Sequence, residues 1–288
     1  MPHNWSDPAF LSSVYTYALL ILGVVFIAVF VVKKQIWHGL PKRSVTPWHI
    51  GWTDLNILFC LLVGWAMLVG PATNHILPLG DNPTPAREAW SAVLSGGLLQ
   101  AGMAIIFIVF WFSQPYAKRP NFNMTPMGLG SALGTAIVGF LLFIPPRFGV
   151  EMGWMALLKW LNSLGLGIST EAQEVTGFFN GAPPLAYILL IFLAGFVAPV
   201  VEELVFRAGL YRFLKGQAGK TSAMIISSAV FAVLHWNVLV FPTLMLFGVA
   251  LCLAYESSGN LKVPIAFHAL FNLNTILLIA LQGAPVVS

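Results

Sequence analysis

Apolar residues run along this chain in blocks of about 20, the length of an α-helix that crosses a ~30 Å hydrocarbon slab. Inside lipid every backbone donor and acceptor has to be satisfied within its own segment, so each block is read as a helix rather than a strand. Eight are predicted: Val14 to Val32, Asp54 to Gly70, Trp90 to Phe112, Met127 to Ile144, a stretch that opens after Pro183 and Pro184 and ends near Leu214, Thr221 to Val238, Phe241 to Tyr255, and Pro264 to Leu281. The fifth changes character along its length, since it continues past Val200 into the polar string Glu202 to Arg207. The segment from Pro145 to Pro183 is read as the longest non-spanning piece. Within it Trp154, Leu157, Leu158 and Leu161 recur at helical spacing over Met152 to Leu164, as in a helix lying along the outer interface. The expected fold is an all-α polytopic bundle of about eight transmembrane helices. Gly130 and Gly134 form a small-xxx-small pair that predicts close helix packing.

Composition removes the soluble alternatives. Of the 288 residues, 58% are hydrophobic and 8% charged, and the mean hydropathy is +0.84, values that no water-soluble domain of this size tolerates. The formal net charge is +4, but the cations lie between apolar runs, where they orient helices instead of binding nucleic acid. With the N-terminus outside, the cytoplasmic loops hold Lys33, Lys34, Lys42, Arg43, Lys118, Arg119, Arg212, Lys215, Lys220 and Lys262, against Arg87, Arg147 and Lys159 outside. An odd number of spans would scramble that alternation. The sequence therefore reads as a multi-pass protein of a bacterial inner membrane with both termini outside. The first apolar run ends in Lys33 and Lys34 and is expected to be retained as a span. Cys60 and Cys252 fall inside apolar runs and are expected to be packing residues.

Ionisable groups within a span cost about 3 kcal/mol each on insertion scales, so those present need a reason. Glu203 and Arg207 are four apart and share a helix face, which predicts an ion pair. Glu202 is turned from Glu203 by roughly 100° and is left without a partner on its own helix. The sixth span carries His235; the eighth carries His268 and Asn272 one turn apart on a single face, as two donors reaching one oxygen would be. Bundles bury such groups facing one another. The chemistry that suits the set is water-mediated acyl transfer: Glu202 and His235 activate water, while His268 and Asn272 stabilise the oxyanion. Glu202 lies about 15 Å from Arg212, and His268 about 9 Å from Lys262, along their helices, which puts the site in the cytoplasmic half.

These residues carry a resemblance. Glu202, Glu203 and Arg207 match EExxxR; Phe231 and His235 match FxxxH; His268 and Asn272 match HxxxN. Three such motifs in order on separate spans resemble the CAAX protease and bacteriocin-processing family, also called the type II CAAX prenyl endopeptidase or abortive-infection family. The resemblance covers about residues 185–282, within a catalytic bundle placed at 127–288, and leaves the helices of 1–126 outside it. It implies a glutamate-dependent intramembrane protease with the first glutamate of the pair as base, no cofactor, and Glu203, Arg207 and Phe231 in support. The expected substrate is a peptide segment near the membrane surface or a lipid-anchored protein.

Two rivals are retained. One is a metal-dependent membrane peptidase in which Glu202, His235 and His268 hold a divalent ion such as zinc, although no HExxH is present. The other is a non-catalytic membrane scaffold or immunity protein that uses the cluster for binding. No GxSG serine motif occurs, and the GD at Gly80 and Asp81 lies in an outer loop. The remaining polar residues have plain readings. Asn237 and Asn274 are expected to bond between helices, and Glu256 and the histidines His3, His38, His49 and His75 to be solvated. Trp5, Trp37, Trp48, Trp52, Trp90, Trp111 and Trp160 are expected to form an interfacial belt.

Overall fold

The computed structural model of the chain describes residues 8–32, 44–119, 121–168 and 181–281; Lys33, Lys34, Lys42, Arg43, His3, His38, Trp5 and Trp37 lie outside them. The described residues form helices α1 (Pro8–Val32), α2 (Trp52–Ile76), α3 (Pro85–Ser113), α4 (Leu129–Ser163), α5 (184–211), α6 (Arg212–Val233), α7 (Phe241–Ser258) and α8 (Lys262–Leu281). The bundle is polytopic and all-helical. Seven helical stretches are long and apolar enough to cross a membrane, and one of them, Pro184–Val233, is 50 residues long. At 1.5 Å per residue that stretch measures about 75 Å, more than twice the hydrocarbon thickness. It folds back at Gly219, whose φ of 78° and ψ of 173° break the helix; a φ of that sign is open to glycine at little cost. Lys215 and Lys220, on either side of the break, reach the same Glu256 carboxylate. Seven stretches thus give the eight expected passages.

The outer surface is apolar because lipid, not water, covers it. Ile21, Val24, Met67, Leu68 and Ile105 are exposed, which would be a liability in water and is the normal face of a span in lipid. Helix association then rests on close packing and polar contacts. Gly23 lets α1 close on α4, because a Cβ there would come within 2.7 Å of the Leu141 carbonyl oxygen and 2.8 Å of the Pro145 ring. Leu141 is the residue whose carbonyl Pro145 leaves without its helical N–H.

The same region corrects one expectation. The fourth helix does not stop at Ile144: α4 continues through Pro145 and Pro146 to Ser163. Proline removes a donor and crowds the preceding turn without forcing an end when neighbouring helices brace it. The close packing expected at Gly130 and Gly134 is not found, since a Cβ at either would meet nothing within 4 Å.

Loops expected on one side of the membrane do share one end of the bundle. There Trp48 N–H donates to the Arg212 carbonyl at 3.0 Å and Met124 N–H to Gly259 at 2.8 Å, while Lys262 Nζ donates to Met127 O at 3.1 Å. The buried Arg212 guanidinium ties this end together, donating to the Thr46 carbonyl (2.6 Å), the Thr46 hydroxyl (2.7 Å) and the Asn121 carbonyl (2.7 Å). Glu256, expected to be solvated, is buried beside it. Its carboxylate accepts from the Tyr211 hydroxyl at 2.7 Å and from Lys215 and Ser44. Burial is tolerated because each oxygen has a donor. Trp48 is likewise buried rather than part of a belt, with Nε1 donating to Lys118 O at 3.1 Å.

Candidate functional site

The site is built on α5, whose backbone is irregular where the chemistry-bearing residues sit. An α-helical turn, Pro184–Phe192, gives way to a π segment, Leu193–Val197, then to the short α-helix Ala198–Glu203 and a second π segment, Leu204–Tyr211. Such wide turns inside α-helices are frequent at functional sites. The cause is legible at Pro199. The Ala198 N–H bonds back to the Leu193 carbonyl, five residues away, so in that register residue 199 has to serve Ala194. Proline has no N–H. The orphaned Ala194 oxygen accepts instead from Asn272 Nδ2 at 2.8 Å. Gly195 makes the reach possible, because a Cβ there would come within 2.7 Å of Leu273, the neighbour of Asn272 on α8.

Glu202 and Glu203, adjacent in sequence, meet different surroundings. Glu203 is fully buried. Its Oε1 accepts from His268 Nδ1 at 2.9 Å and lies 3.0 Å from Arg207 NH1, the pairing that the i, i+4 spacing predicted. The Arg207 contact is one of charge rather than of aligned hydrogen bonding, since neither terminal nitrogen finds a directed acceptor. The guanidinium instead lies over the Phe231 ring at 4.6 Å, a cation–π contact in a dry interior. Glu202 keeps a side chain that is 18% exposed, with Oε2 3.8 Å from His268 Nε2. The His268 ring is therefore held between the two carboxylates.

His235 approaches from the end of α6. The helix stops at Val233, and Trp236, with φ of 51°, takes the left-handed conformation that turns the chain away. The His235 Nδ1 bonds to the Phe231 carbonyl at 2.8 Å. A carbonyl only accepts, so Nδ1 carries the proton of the neutral ring and Nε2 is left as an acceptor. No hydrogen bond or ion pair joins His235 to either glutamate among the described residues; it meets the cluster through Phe231. That ring stands edge-on to His235 at 4.7 Å, to His268 at 5.9 Å and to Phe206 at 5.2 Å. The three motifs thus converge on one place, with Phe231 at its centre.

One member was not anticipated. Gln100 of α3, buried, donates its Nε2 to Glu202 Oε1 at 3.4 Å. It was legible only as a lone polar residue in the third apolar run. Asn274, expected to link helices, does so, accepting from Tyr15 of α1 at 2.8 Å. Asn237 accepts from Leu239 N–H at 2.9 Å and so braces the local turn into α7. Among the described residues no group of three His, Cys, Asp or Glu side chains is gathered to hold a metal ion.

With that geometry in place, comparisons agree on the neighbourhood. Residues 184–274 match the family model "Type II CAAX prenyl endopeptidase Rce1-like". The chain is 27% identical over 211 residues to an uncharacterized protein of Mycoplasma capricolum subsp. capricolum, covering 67% of this chain and 57% of that protein's length. It is 21% identical over 226 residues to a Bacillus subtilis (strain 168) protein named "Putative membrane peptidase YdiL", covering 78% of this chain and 85% of the relative. No solved structure matches. Glu202, Glu203, Arg207, Phe231, His235, His268 and Asn272 all lie within the segment that is similar to the Rce1-like type II CAAX prenyl endopeptidases, set within an integral membrane bundle.

Proposed function

We propose that the chain is an intramembrane endopeptidase that hydrolyses a peptide bond with water activated by Glu202. The observation that carries this reading is the division of labour between adjacent carboxylates. Glu203 is enclosed and occupied by His268 and Arg207, whereas Glu202 retains an accessible edge. A carboxylate without an ion-pair partner on its own helix, at the rim of an apolar site, is suited to take a proton from water.

In the proposed reaction the water oxygen attacks the scissile carbonyl carbon as Glu202 takes one of its protons. His235 Nε2 orients that water. The oxyanion is met by the second amide hydrogen of Asn272, the first being committed to Ala194, and by Nε2–H of His268 with both ring nitrogens protonated, Nδ1–H being committed to Glu203. Collapse breaks the C–N bond, and the proton held by Glu202 passes to the leaving amine. The substrate class is a peptide segment near the membrane surface or a lipid-anchored protein, in line with the prenyl endopeptidases of the matched family. The end of the bundle that gathers Lys118, Arg119, Arg212, Lys215, Lys220 and Lys262 is proposed to face the cytoplasm.

The test is cleavage of a membrane-tethered peptide library by the purified protein and by Glu202→Ala, each with and without a strong chelator. Chelator-insensitive cleavage that the substitution abolishes is the expected result. Chelator-sensitive cleavage would move the reading to a metallopeptidase that uses Glu202, His235 and His268. No cleavage by the folded protein would overturn the peptidase reading in favour of a binding scaffold.

A further inference from the structure

Gln100 lies on α3, outside the family match at 184–274, yet its side chain reaches Glu202. The contact is the middle of a registered face. At one end a Cβ on Gly96 would sit 3.7 Å from Leu193, and at the other Phe107 packs so closely that a Cβ on Gly209 would come within 2.9 Å of its ring. Gly96, Gln100 and Phe107 are four and seven residues apart, the spacing of one helix face. α3 and α5 therefore run side by side in the same direction, with a small residue on each helix allowing the approach. This register places a polar side chain where every neighbouring position of α3 is apolar or small.

We infer that Gln100 is a positioning residue for the Glu202 carboxyl, supplied by the N-terminal helices to the site carried by the C-terminal ones. Its amide is the donor, because a carboxylate accepts, which fixes Nε2 towards Glu202 and turns Oε1 the other way. Gln100 is 8% exposed, and its Oε1 is buried with no hydrogen-bond partner. An unpaired buried acceptor costs stability, so the amide is held in place by its donor half, on Glu202. With Oε1 of Glu202 held by Gln100, Oε2 is the oxygen turned towards His268.

The catalytic consequence rests on the peptidase reading above, but the contact itself does not, and the experiment separates the two. The infrared band of the Glu202 carboxyl is identified as the band lost in Glu202→Gln, then compared between the wild-type protein and Gln100→Leu. Loss of the donor moves that band, and kcat falls at least about tenfold with KM within about twofold, the size expected for a hydrogen bond to a charged group. Gln100→Met, which keeps the length of the side chain but removes the donor, gives the same shift and serves if the leucine variant does not fold. An unmoved band in a folded variant would overturn the inference, whatever the stability of that variant. A moved band in a protein that cleaves nothing would keep Gln100 on Glu202 and retire the peptidase reading.

Discussion

Asn272 donates its side-chain amide to the carbonyl oxygen of Ala194 at 2.8 Å, the oxygen that Pro199 leaves without a backbone donor. A motif asparagine expected to serve an oxyanion is thus also the lock on the π segment preceding Glu202. Removing it leaves a buried carbonyl unpaired, which costs about 1–3 kcal/mol. Pro199→Ala returns an N–H to the position that serves Ala194. Asn272→Ala is therefore expected to cost less in the Pro199→Ala background than alone, measured as a double-mutant cycle by unfolding in mixed micelles. Equal costs in both backgrounds would separate the two residues.

Arg207 is buried against Glu203 and over Phe231. Arg207→Ala strands a carboxylate in the interior and is expected to destabilise by about 3–5 kcal/mol. Arg207→Lys restores the charge but not the flat guanidinium over the ring, so it should recover only part of the loss. Thermal unfolding of the two variants checks this, and a cost below about 1 kcal/mol for the alanine variant would contradict it.

Much of this arrangement was legible in the sequence, for reasons that differ by residue. The spans were, because lipid imposes one length and one composition. Glu203 with Arg207 was, because four residues is one helical turn. The convergence of His235 and His268 followed from the cost of polar groups in an apolar bundle. Pro145 and Pro146 misled because proline ends helices in water more readily than in a braced bundle. Glu256 and Trp48 misled because both sit at predicted span ends, where solvation is the ordinary outcome; the strap at 44–50 that buries them depends on Arg212 contacts distant in sequence. Gln100 and the role of Pro199 required the register between helices, which a single sequence does not carry.

Orientation has a direct check. In a variant freed of Cys60 and Cys252, a cysteine at Asp81→Cys is expected to react with a membrane-impermeant maleimide added outside intact cells, and one at Lys262→Cys only after the membrane is opened. Asp81 precedes the first residue of α3, and Lys262 is the first residue of α8. The reverse pattern would place the basic end of the bundle outside.

The central claim is that Glu202 takes the proton of the attacking water. Its most direct test is the single-turnover cleavage rate of Glu202→Gln against the wild-type protein, in the same bilayer and with matched folding. Glutamine keeps the shape and can still bond to Gln100 but cannot act as a base, so the rate is expected to fall by about a thousandfold, within the range for loss of a positioned general base. A rate within tenfold of wild type would contradict the account.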